Sequence, residues 1–170
     1  MNRNHHALID GLESSGSEFV RYLQRLSKQD LSVAPTPGDW TMHQVAAHVR
    51  DVEQQVFLSR SKRIPSENLP TVQNFDQDVW DREHYSSTEG IAKIVSEFRV
   101  ARRKQIASLR KTKDKDWLRC AMHSTYGRIS LEWLVMHNYH HTLEHLAQRG
   151  YTQEGALLKH LNRQGTHDGI

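Results

Sequence analysis

Four of the chain's twelve histidines fall within "MHNYHHTLEHLAQ", residues 136–148: His137, His140, His141 and His145. A neutral imidazole is the commonest side-chain ligand for a divalent metal. On a helix, residues four apart are neighbours, so two pairs can each aim at one point. These are His137 with His141, and His141 with His145. Paired imidazoles at this spacing recur in zinc and related sites. The spacing alone leaves the two registers equivalent, and surface or capping histidines are the bland alternative to both.

A metal needs a third group. Apolar residues Leu131, Leu134, Val135, Leu143 and Leu146 share the helix, so one histidine pair faces the core or lies beside it. Elsewhere a single histidine, His48, stands in the apolar face of "VAAHVRDV". Burying a polar group without a partner is costly. The plain partner is a carbonyl or carboxylate; the sharper one is a metal shared with the later helix. Three imidazoles leave coordination positions open, which is the pattern of a catalytic rather than a structural site.

The elements that must position these residues are helical, because the apolar period is helical nearly throughout. The first stripe is Leu8, Ile9, Leu12, Phe19, Tyr22, Leu23 and Leu26. After the turn-rich "SVAPTPGDW", Thr41 and Gln44 form the pattern of a capping box. That second helix carries His48 and is expected to end before Pro65. A long connection over 63–86 follows, and a loop of that length in a small domain is often functional; Phe75, Val79 and Trp80 pack it down. Ser86 and Glu89 predict a second capping box. It opens a third helix with Ile91, Ile94, Val95, Phe98, Ile106 and Leu109 inward. A polar connection spans 111–127, and the fourth helix runs from about Ser130 to Gln148, with Gly150 closing it. No strand alternation of useful length is present. Four amphipathic segments make an all-α bundle. The domain is expected over residues 1–152, and a short helix and tail over 153–170.

With 36% apolar and 25% charged residues, the chain has a soluble globular composition, and no apolar run approaches a membrane span. A lone Cys120 and an N-terminus without an apolar signal core point to the cytoplasm. The net charge is +3, and basic residues concentrate in "FRVARRKQIASLRKTKDK". Asp114 and Asp116 dilute them and no groove-reading motif accompanies them, so this is expected to be a solvated helix face, not a nucleic-acid footprint.

"PGDWTMHQVAAHVRDVE" resembles the first motif of the DinB/YfiT-like superfamily, and "GRISLEWLVMHNYHHTLEHLAQ" resembles its second, a helix carrying H-x-x-H-H. The segment between, from "FDQDVW" onward, is also similar. The resemblance covers about residues 6–150. It implies a four-helix bundle of up-down-down-up order, often a homodimer, with a long connection between helices two and three. It also implies a divalent metal, zinc or nickel in many members and iron or manganese in some, held here by His48, His137 and His141. On that reading His140 and His145 are not ligands, though His145 could line the pocket wall.

The function this implies is a metal-dependent enzyme acting on a small molecule, a thiol S-transferase or a hydrolase, in which the metal activates a thiol cosubstrate or water. The alternative is a non-enzymatic metal-binding stress-response module. A ligating histidine usually donates its other N–H to a carboxylate or carbonyl, and Asp51 and Glu144 are the candidates. Glu53 matches an acidic position of the family, but helix geometry sets it about 140° from His48, which favours a structural hydrogen bond. Arg102 and Arg103 are expected at the surface or an interface. Trp40 and Trp80 anchor loops or wall a substrate pocket. Cys120 is expected to be inert.

Overall fold

The computed structural model describes residues 2–150, with side chains through 147; the boundary at 152 and the expected fifth helix lie outside the described residues. Helix α1 spans Arg3–Arg25 and a short α2 spans Lys28–Ser32. The second long helix is composite. It comprises α3 (Met42–Val52), a π-helical turn (Glu53–Leu58) and α4 (Ser59–Ser66). A short α5 (Gln77–Glu83) precedes α6 (Ile91–Leu109) and α7 (Leu131–Gly150).

Side-chain pairs give the direction of each long helix. Arg50 meets Glu97, and Glu53 meets Arg102, so α3 and α6 run parallel. Gln105 meets Asn138 and Arg102 meets Thr142, so α6 and α7 run antiparallel. Glu13 on α1 meets Arg110, while Phe19 packs on Phe98, which sets α1 against the direction of α6. The order is up-down-down-up, with the composite helix packed between α6 and α7. A parallel second and third helix requires a connection as long as the bundle, and residues 67–90 supply it.

That connection and the next one hold the strands that the sequence pattern does not reveal. β1 (Thr71–Val72) pairs parallel with β2 (Cys120–His123), and β2 pairs antiparallel with β3 (Gly127–Ser130). These strands are two to four residues long, too short for alternation to register. Gly127, at φ 68°, lies in the left-handed region that closes the β2–β3 turn.

The Thr41–Gln44 capping box is present. The one expected at Ser86–Glu89 is not: α6 starts at Ile91, because the Glu89 carboxylate is taken by Arg50 at 2.8 and 3.1 Å. The composite helix runs through Pro65, placed in its last turn. Arg119 covers the carbonyls there, donating to Ile64 and Glu67.

The core has two apolar clusters. One includes Leu12, Phe57, Ile64, Leu109, Trp117 and Leu134; the other includes Phe19, Val45, Trp80, Ile94 and Phe98. Between them lies a polar network. Arg102 pairs with Glu53 and donates to the Leu12 carbonyl, Asn138 and Thr142; Asn138 donates to Glu53 and Gln105. Every long helix contributes. Arg102 is 4% exposed, so it is not the surface charge that its basic neighbourhood suggests. Gly16 lets α1 approach it: a Cβ there would stand 3.4 Å from Arg102 Cγ.

Candidate metal centre

His48 sits in α3 one turn before the π-helical turn and is buried. Its ring is wedged among three aromatic rings. Trp40 lies at 5.1 Å between centroids, Trp80 at 5.3 Å and Phe75 at 5.7 Å. Trp80 is itself fixed, because its indole N–H donates to Asp51 Oδ2 at 2.9 Å, and Asp51 is held by Arg50. Asp51 therefore does not orient His48 by a hydrogen bond. It acts through the tryptophan that packs on the imidazole. His48 Nδ1 is buried with no hydrogen-bond partner among the described residues.

From α7, His141 and His145 reach the same point. His48 Nε2 lies 3.4 Å from His141 Nε2, which lies 3.2 Å from His145 Nε2. The ligand atoms of these three residues all fall within 4.8 Å of one another. Two imidazole nitrogens each about 2.1 Å from one zinc are about 3.4 Å apart at a tetrahedral angle and about 3.0 Å apart at a right angle. Both closest separations fall in that interval, so the donor set fits a single divalent ion.

The structure thus brings together two of the expected ligands, His48 and His141, and sets His145 with them. His137 stands one turn away. Its ring is stacked on Trp133 at 4.8 Å and lies 6.0 Å from Phe57. His140 is exposed, edge-on to Tyr139. Glu144 is exposed, and its charge acts on His137. Glu53 is spent on Arg102 and Asn138, and Arg103 lies exposed on α6.

Electrostatics favour neutral ligands. Burial pushes the His48 imidazole down to about 3, with the nearby His145 adding to the shift. Burial likewise pushes His141 down to about 2, helped by His145 and His48. Both rings are unprotonated at neutral pH, the form in which an imidazole binds metal.

The π-helical turn is the device that spacing could not reveal. In an unbroken α-helix Phe57, nine residues after His48, would point to the opposite side, about 180° away. The wide turn contains an extra residue, and the register after it shifts. Phe57 consequently packs 5.6 Å from His141, on the side that His48 also faces. Such turns often occur at functional sites.

Comparison with known proteins gives a consistent result. The family model described as the DinB superfamily matches residues 12–148. No curated protein matches the chain. Among solved structures, one match is described as "YfiT from Bacillus subtilis is a probable metal-dependent hydrolase with an unusual four-helix bundle topology". It superposes with a TM-score of 0.73 at 22% identity, covering 88% of this chain and 90% of that one. A second, TT2238, described as a four-helix bundle protein, gives 0.61 at 18% identity over 84% of this chain and 94% of that one. At these identities the likeness establishes the fold.

Proposed function

We propose that this chain, which belongs to the DinB superfamily, is a divalent-metal-dependent enzyme acting on a small molecule, its metal held by His48, His141 and His145. The observation that carries this reading is the convergence of three imidazole nitrogens from two helices, at separations that suit one ion. Imidazole donors suit zinc and nickel, and iron or manganese are compatible. When bound, such an ion lowers the pKa of a water or thiol ligand and makes it a nucleophile near neutral pH.

The chain's own residues divide the remaining work. Trp40, Phe75 and Trp80 close the inner side of the centre and hold His48 in place. His141 and His145 are only half-buried, so the outer side meets solvent. Among the described residues, the group contains three ligands and no carboxylate or cysteine. That supports an open coordination position, hence catalysis. It weighs against a purely structural metal in a non-enzymatic stress-response module.

Hydrolysis agrees with the description of the Bacillus protein; transfer of a low-molecular-weight thiol to an electrophile is the second reading. Metal-loaded protein assayed on ester, amide and electrophile panels, with and without thiol, separates them. Turnover without thiol supports the hydrolase, and turnover only with thiol supports the transferase. A protein that takes up no stoichiometric divalent metal when purified without a tag would overturn both.

A further inference from the structure

Beside the histidine centre, the composite helix, the β2–β3 hairpin and α7 present one half-buried face. Phe57, itself buried, backs it and is in contact with His141 and His137. Trp133 lies flat on His137, and Tyr126 lies 5.4 Å from Trp133 and 4.8 Å from His123. Tyr126 is 56% exposed, so this aromatic wall meets solvent.

Arg60 lies one helical turn beyond Phe57, on the same side of the helix. Its guanidinium donates through Nη2 to the Gln73 carbonyl, and no carboxylate among the described residues is within ion-pair distance. Arg50, Arg63 and Arg102, by contrast, are each engaged by one or more carboxylates. Arginine has five N–H donors in a planar fork, so most of those on Arg60 remain to be matched. The Arg60 charge is felt at both His123 and His137: burial lowers these two imidazoles, and the arginine adds to the effect at each. Gln73, which accepts from Arg60, follows Val72, the β1 partner of His123, so the cation lies toward the same aromatic face. A half-buried guanidinium without an anion, at the end of an apolar wall that begins at a metal centre, is arranged to receive a charged end of a ligand.

We propose that the substrate is an aromatic or similarly planar carboxylic acid, its carboxylate received by Arg60 and its ring laid against Trp133 and Tyr126. This deepens the enzyme reading and rests on it for the position of the reacting end. Arg60 is a specificity-determining residue here: a bidentate guanidinium–carboxylate pair fixes orientation as well as charge.

The test uses 3-phenylpropanoate and its neutral counterpart 3-phenylpropan-1-ol, titrated calorimetrically into full-length protein, zinc-loaded and EDTA-treated. The acid is expected to bind at least about tenfold more tightly than the alcohol in both metal states. Arg60→Gln is expected to remove that preference and leave the alcohol unchanged, and Arg60→Lys to restore part of it. Equal binding of the acid to wild type and Arg60→Gln would overturn the proposal. So would binding that EDTA abolishes and Arg60→Gln does not, since the carboxylate would then be on the metal. A chain that takes up no zinc yet keeps the Arg60-dependent preference would refute the metal reading alone.

Discussion

The Arg102 guanidinium faces the Glu53 carboxylate edge to edge, Nε 2.8 Å from Oε1 and Nη2 2.9 Å from Oε2, with both side chains at most 5% exposed. The cost of burying two charges in this geometry is offset by the further hydrogen bonds around them, with Gln105 Nε2 left without a partner among the described residues. Arg102 also reaches the Leu12 carbonyl, Asn138 and Thr142, so one guanidinium touches all four long helices. It fixes how α7 lies against α3, and with it the meeting of His141 and His48.

Removing one partner leaves the other charged and buried. Arg102→Met is therefore expected to lower unfolding stability by about 3–5 kcal/mol. The double variant Glu53→Gln with Arg102→Met should recover a good part of that loss. Urea denaturation followed by circular dichroism measures both, and additive losses would show that the two residues are not coupled.

The ligand set is tested by substitution. His48→Ala, His141→Ala and His145→Ala are each expected to weaken zinc binding by more than the roughly 10–100-fold that loss of a supporting residue costs. His137→Ala should leave it within that range. Competition against a chromogenic chelator gives the affinities. Loss of binding in His137→Ala with retention in His145→Ala would restore the register that the H-x-x-H-H resemblance implies.

Much of the fold was legible because it rests on apolar period and caps. The stripes of α1, α3, α6 and α7 and the Thr41 capping box follow from local chemistry, and the same period placed His48 inward. What escaped the sequence depends on contacts distant along the chain. Glu89 leaves its expected cap for Arg50, 39 residues away, and β1 pairs with β2 across some fifty positions. The π-helical turn has no signature in residue type, yet it decides that Phe57 faces His141. Between the two histidine pairs spacing could not choose, since both satisfy the same helix geometry. What sets His141 and His145, and not His137, nearest to His48 in the structure is the position of His48 along the axis of its own helix.

The Trp80–Asp51 hydrogen bond predicts a support for His48 that is not a ligand. Trp80→Phe keeps a ring against the imidazole and deletes the donor to a charged acceptor. The loss is expected to be about 1.5–3 kcal/mol of stability. Chelator competition should show zinc affinity falling no more than about 100-fold, as for other supporting groups. An unchanged denaturation midpoint would show that Arg50 alone suffices to hold Asp51.

The histidine pKa values predict a pH dependence for the metal-free protein. His48 and His141 bind protons in the folded state only near pH 3 and 2. In the unfolded chain an ordinary histidine titrates near 6.5. Above that value neither state is protonated at these rings, and they contribute no slope. Below it the unfolded chain binds protons that the folded one refuses, so stability falls as pH falls. Each ring contributes up to about 1.4 kcal/mol per pH unit. The window runs from about 6.5 down toward the folded values. Urea midpoints of EDTA-treated protein should therefore decline between pH 7 and 5, and His48→Ala should make the decline shallower. A slope unaltered by His48→Ala would mean that this ring titrates normally in the folded protein and is not enclosed by Trp40, Phe75 and Trp80 in solution.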